Sequence, residues 1–125
     1  MNLEFLPIFL DMQGKPCLVI GGGVTAARKA GSLLRAGAAI TLIAPVLCEM
    51  LARQADEGRL RHLARSFEPD DIAGYRLIVA ATDNPQVNRQ IARLADAADI
   101  PVNVVDDPDA CTFLLPSIID RAPVT

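Results

Sequence analysis

This sequence predicts an α/β fold, a doubly wound parallel sheet with helices on both faces. Three observations carry that expectation. Short apolar runs recur at residues 17–20, 39–44, 77–81 and 101–105, the pattern of strands buried on both faces. Stretches with helical spacing fall between them, and strands alternating with helices build parallel sheets. Three glycines, Gly21, Gly22 and Gly23, join the first apolar run to the first helical stretch.

The elements follow in order. Leu6-Pro7-Ile8-Phe9-Leu10 is an apolar lead-in whose proline suits an edge strand. Gln13-Gly14-Lys15-Pro16 turns into the first main strand. After the glycines, residues 24–35 read as a helix, with Val24, Ala27, Ala30 and Leu34 facing the sheet and Arg28, Ser32 and Arg35 facing away. Gly37 sits where a helix C′ residue is expected. Residues 39–44 form the second strand, closed by Pro45, and residues 48–57 a second helix ended by Gly58. Residues 59–65 alternate around Leu60, His62 and Ala64 and suit a third strand of modest burial. His62 is the only histidine, and a lone histidine on such a strand is more often structural than functional. Residues 68–72 are a loop or one helical turn. The strongly apolar run at 77–81 is a central strand. Asn84 then caps a helix that starts with Pro85 at N1 and runs to about residue 98, burying Val87, Ile91, Leu94 and Ala95. Residues 101–105 are the fifth strand, and Asp106-Asp107-Pro108-Asp109 an acidic turn at its end.

Composition narrows the function. The 125 residues fit one domain, and 51% hydrophobic residues can build its core. A net charge of −3 with scattered basic residues gives no case for nucleic acid. The 4% aromatic content, with no tryptophan, offers no base-stacking platform. No apolar stretch has transmembrane length, so no membrane partner is expected. Glu4 and the lack of a basic leader argue against a signal peptide. Cys17, Cys48 and Cys111 are odd in number and far apart, which suggests reduced thiols, a cytoplasmic protein and no preformed zinc site.

In a doubly wound sheet the ligand sits outside the carboxyl ends of the strands. The loops there hold Gly21, Gly22 and Gly23; Ala44, Pro45 and Val46; Ala81, Thr82 and Asp83; and the acidic turn. Gly21, Gly23 and Ala26 fit a G-x-G-x-x-A pattern, in the strand–turn–helix context that a Rossmann-like dinucleotide site needs. Gly21 allows the tight turn, Gly23 leaves room for a pyrophosphate, and Ala26 lets helix and strand pack closely. The helix N-terminus, with Val24 and Thr25 in its first turn, then faces the phosphates. A plain glycine turn is the competing reading.

Several stretches together resemble one family. They are Leu6-Pro7-Ile8-Phe9, the run from Cys17 to Gly23 with Ala27-Arg28-Lys29-Ala30, the run from Leu33 to Ala38, Ala80-Ala81-Thr82-Asp83, Asn103-Val104-Val105-Asp106, and Pro116-Ser117-Ile118-Ile119-Asp120-Arg121. The chain resembles the N-terminal part of siroheme synthase, the precorrin-2 dehydrogenase and sirohydrochlorin ferrochelatase module. That resemblance implies NAD-dependent dehydrogenation of precorrin-2 to sirohydrochlorin, then insertion of ferrous iron to give siroheme. It implies a homodimer, with a dimerisation region after the Rossmann-like domain. In many bacteria a uroporphyrinogen methyltransferase domain using S-adenosylmethionine follows. On that expectation residues 1–113 are the NAD-binding domain and residues 114–125 begin the link to the dimerisation region. The chain then reads as shorter than the family's functional unit and should be a poor catalyst alone.

The resemblance also assigns residues. Asp106 matches the family's catalytic aspartate, a base for the proton lost with the hydride and for pyrrole protons displaced by iron. Its other reading is the first residue of an Asp-Asp-Pro turn, the role left to Asp107 and Asp109. The cofactor-binding set is Gly21, Gly22, Gly23, Val24, Thr25, Pro45, Val46, Ala81, Thr82 and Asp83. One departure from the general pattern stands out. NAD sites usually carry an acid after the second strand, but Ala44-Pro45-Val46 has none before Glu49, nor a nearby Arg or Lys for a 2′-phosphate. The family also lacks a strong acid there, so backbone groups at Pro45 and Val46 would meet the adenosine. NAD therefore follows from the resemblance and not from this loop. Arg28, Lys29 and Arg121 are candidates for the substrate carboxylates, though Arg28 and Lys29 read more simply as solvated helix residues. Two other functions compete with the enzyme: a nucleotide-sensing module without catalysis, which needs no base, and a structural subunit with an empty glycine turn.

Overall fold

Five parallel strands form one sheet in the order β3-β2-β1-β4-β5, in a computed structural model that describes residues 5–115. The strands are β1 (Pro16–Ile20), β2 (Ala39–Ile43), β3 (Arg61–Leu63), β4 (Leu77–Ala80) and β5 (Val102–Val104). Three α-helices alternate with them: α1 (Val24–Arg35), α2 (Glu49–Asp56) and α3 (Pro85–Ala97). Single 3-10 turns at Pro69–Ile72 and Pro108–Ala110 complete the elements of the described residues. Every strand pair is parallel, and β1 sits at the centre with Cys17–Ile20 paired to Leu77–Ala80 on one side and Ile40–Ile43 on the other.

Strand pleating divides the core in two. Cys17, Val19, Ile40, Leu42, Leu77 and Val79 point to one face, against Ala26, Ala27, Ala30 and Leu33 of α1 and Leu51 of α2. Leu18, Ile20, Ile43, Ile78, Ala80, Val102 and Val104 point to the other, against Ile91, Ala92 and Ala95 of α3 and Ile72. The expected fold class, with helices on both faces, is the one observed. Gly37 follows α1 with φ of +82°, as a C′ residue does. Cys17 is fully buried in β1, and burial pushes its thiol up to about 11 against the pull of Arg76, so it is a core residue without nucleophilic character.

Several elements differ from the sequence reading. Leu6 to Leu10 form no strand: Leu6 and Phe9 are exposed, and the lead-in is anchored by buried Met12. In α1, Leu33 is buried and Leu34 only half-buried, while Val24 is 73% exposed. Val24 borders the open cleft at the strands' carboxyl ends, while Ala26 and Ala27 of the same turn pack on the sheet. The third strand is three residues long because only Arg61–Leu63 has a partner, at Thr41–Ile43 of β2. Helix α2 and helix α3 lie where expected, the latter with the Asn84 side chain accepting from Gln86 N and Val87 N. Pro116-Ser117-Ile118-Ile119-Asp120-Arg121, and with it the candidate Arg121, falls outside the described residues, as does most of the 114–125 link.

Candidate cofactor and active site

The strand order reverses between β1 and β4, and a cleft of about 930 Å³ opens at their carboxyl ends. The glycine turn forms its floor. Gly21 has φ of +135°, and a Cβ there would run into the Ala81 carbonyl. A Cβ on Gly22 would run into the Val46 carbonyl. Gly23 has ordinary backbone angles and only open space around a would-be Cβ. The three glycines thus do different work: two let loops of the protein close on each other, and the third keeps the cleft clear.

Helix α1 begins directly above. Its N-cap is Gly23, no side chain caps it, and its first turn holds no acid. Its leading N–H groups and dipole are therefore free to meet an anion in the cleft. Thr25 and exposed Val24 border the same space.

The second wall is the loop after β2. Cys48 N donates to Gly22 O at 2.7 Å, tying this loop to the glycine turn. His62 Nε2 donates to Ala44 O at 2.8 Å from β3, so the lone histidine fixes the lip of the cleft and is structural here. Pro45 and Val46 line the cleft, and Val46 is 77% exposed. Arg65, Ser66 and Phe67 after β3 also border it, a contribution the sequence reading missed. Arg65 is already engaged: its guanidinium meets the Asp71 carboxylate twice, at 2.7 and 2.8 Å, and that contact holds the Asp71 carboxyl below its usual range.

The third wall is the loop after β4, with Ala81, Thr82 and Asp83. Buried Asn88 of α3 locks it. Asn88 Oδ1 accepts from Thr82 N at 3.1 Å and from Thr82 Oγ1 at 2.6 Å, and Asn88 Nδ2 donates to Thr82 O at 3.1 Å. This residue too was missed. Helical spacing puts it on the buried face, and a buried amide must find partners, which is the signal that could have found it.

Asp106 follows β5 at the far side of the cleft. It is exposed and has φ of +56°, a left-handed conformation that aspartate tolerates better than most residues. Neighbouring Asp107 is turned to Arg89 at 3.5 Å. Asp106 also borders a second cavity of about 160 Å³, shared with Lys29, Asn103 and Cys111. Lys29 is half-buried, unlike exposed Arg28, so the solvated-helix reading fits Arg28 only. All ten expected cofactor residues and Asp106 border the larger cleft.

A 3-2-1-4-5 parallel sheet, with an uncapped helix N-terminus over a glycine turn at its switch point, defines a dinucleotide-binding domain of the Rossmann class. The open space at Gly23 and the free N–H groups of α1 fit a pyrophosphate. Comparison with known proteins agrees. The chain belongs to the "Putative NAD(P)-binding" family, whose model matches residues 8–117. It is 52% identical over 122 residues to the siroheme synthase of Methylobacillus flagellatus and 50% identical over 122 residues to that of Methylococcus capsulatus. Each match covers 98% of this chain and 26% of the relative, so the chain spans about a quarter of these proteins. Among solved structures it is similar to SirC, a precorrin-2 dehydrogenase, with a TM-score of 0.75, 28% identity, and coverage of 90% of this chain and 54% of that one. The cofactor is thus a nicotinamide dinucleotide, in keeping with the NAD expected from the resemblance. No helix among the described residues is long and apolar enough to cross a membrane.

Proposed function

We propose that this chain is an NAD-dependent precorrin-2 dehydrogenase domain that yields sirohydrochlorin, and that the same cleft serves ferrous iron insertion to give siroheme. The observation that carries the reading is the position of Asp106, at a strand's carboxyl end on the cleft that the glycine turn floors. Bound there, NAD supplies the hydride acceptor. The free N–H groups of α1, above Gly22 and Gly23, hold its pyrophosphate. Backbone groups at Pro45 and Val46 meet the adenosine end, and Ala81, Thr82 and Asp83 border the middle of the cofactor. Asp106 takes the proton that leaves the macrocycle when the adjacent C–H bond gives up its hydride. In chelation the same carboxylate receives pyrrole N–H protons as iron takes their place. A homodimer would complete the substrate side of the cleft, and three free thiols suit a cytoplasmic setting.

The test is Asp106→Asn, which keeps shape and deletes the base. In the protein as the cell makes it, both reactions should fall about 10²–10⁴-fold. Affinity for NAD should be unchanged, since the glycine turn and α1 hold it. Near-normal dehydrogenation would assign Asp106 to the turn and leave the base to another group. Loss of dehydrogenation with intact chelation would separate the two reactions.

A further inference from the structure

Lys29 is the residue whose place in the structure the proposed chemistry leaves unexplained. It lies on α1, one turn beyond the phosphate-facing end, yet it is half-buried while its neighbour Arg28 is exposed. It borders the 160 Å³ cavity and not the cofactor cleft. Asp106 borders both.

The same small cavity is bordered by Asn103, Asp106, Asp107 and Cys111. Asn103, 2% exposed, donates from Nδ2 to Phe113 O at 3.0 Å, which fixes the amide's orientation. Among the described residues its Oδ1 is then left buried without a partner. A buried acceptor without a donor is costly, so such a group calls for one close by. Asp107 also borders the cavity, but its carboxylate is turned to Arg89. The Cys111 thiol donates to backbone carbonyls of Val104 and Asp107 and accepts from Val104 N. Among the described residues Lys29 is thus the one cation bordering the cavity, with three N–H donors on a flexible stem. Two acceptors await it, Asn103 Oδ1 and the Asp106 carboxylate. Burial pulls the Lys29 ammonium below its ordinary value and Arg28 adds to that, while Cys111 and Asp106 pull it back up.

We propose that Lys29 is the positioning residue of the active site: from the smaller cavity its ammonium bridges Asn103 Oδ1 and the Asp106 carboxylate, and so holds that carboxylate in the orientation that receives the substrate proton. This rests on Asp106 being the base. Lys29 touches neither cofactor nor reacting atoms. A left-handed aspartate on an exposed turn has freedom in its side chain, and a cation on the side away from the cleft removes it.

The experiment is a double-mutant cycle in the protein as the cell makes it, with Lys29→Met, Lys29→Arg, Asp106→Asn and the Lys29→Met/Asp106→Asn pair. Methionine keeps the stem and removes the charge. Lys29→Met should lower kcat for precorrin-2 oxidation roughly 10- to 100-fold, the scale of a misplaced reacting group. KM for precorrin-2 and affinity for NAD should stay within twofold. Lys29→Arg should recover most of the lost kcat. The double variant should be no slower than Asp106→Asn alone, because nothing is left to position. Circular dichroism and thermal melting of each variant separate this from misfolding, and a Lys29→Met protein that does not fold transfers the test to Lys29→Gln. A rise in KM with kcat preserved would make Lys29 a substrate-carboxylate ligand and overturn the proposal. Losses that multiply in the double variant would also overturn it, with Asp106 still the base. An active Asp106→Asn would remove Asp106 as the base, and this proposal with it, while dehydrogenation itself still stands.

Discussion

Asn88 shows how much of the site depends on one residue that touches no ligand. Three hydrogen bonds to Thr82 hold the loop after β4 at the height where it borders the cleft. Asn88→Ala strands the Thr82 N–H and carbonyl and should cost about 1–3 kcal/mol in stability. Urea unfolding measures that loss, and calorimetric titration should show weaker NAD binding by the same variant. A variant of full stability and full affinity would mean that the loop holds itself. Residues of this kind were poorly legible in the sequence. Val87 and Ile91 announce a buried face and helical spacing places residue 88 on it, but spacing does not say which groups its amide will meet. The proposal of Asp106 as the base rests on the resemblance, since Asp-Asp-Pro spells a turn as readily as a base. Lys29 was read as solvated because helix spacing cannot foresee the turn after β5 closing over it.

The glycine turn was the most legible element, although its division of labour was not. G-x-G-x-x-A explains Gly21, Gly23 and Ala26 but gives Gly22 no role. In the structure Gly22 is the position against which the loop after β2 closes, through Cys48 N and the Val46 carbonyl. Gly21→Ala should therefore fail as a fold and not as a ligand site. It combines a left-handed backbone with a collision against the Ala81 carbonyl, neither of which a flexible side chain can relieve. Thermal melting should show a transition lowered by more than about 10 °C, or insoluble protein, with or without NAD. A stable Gly21→Ala protein would contradict the observed closeness of β1 and β4 at this point. Helix limits were legible because Asn84, Pro85 and Gly37 are strong stop and start signals. The third strand and the lead-in were misjudged for one reason: strand pairing is a property of the partner. Of the five residues of β2 only Thr41–Ile43 pair with β3, and the lead-in pairs with none of the described strands.

At the scale of the molecule, the central claim is that a folded parallel sheet leaves one cleft open at its switch point, and that a nicotinamide dinucleotide fills it. The fold was legible because each apolar run is long enough to cross a two-faced core and each helix between them is amphipathic. The cleft was legible because the topology allows only one place for it. Binding to the folded state alone must stabilise it, by about 2.7 kcal/mol at a ligand concentration one hundred times Kd. Gly23→Val isolates the claim, since Gly23 has ordinary backbone angles and open space around its would-be Cβ. The measurement is calorimetric titration of NAD into the wild-type chain and into Gly23→Val, with circular dichroism and thermal melts alongside. The account predicts unchanged spectra and melting without ligand, binding and a raised Tm for the wild type, and neither for the variant. Undiminished NAD affinity in a folded Gly23→Val protein would contradict it, and would place the pyrophosphate somewhere other than over the glycine turn.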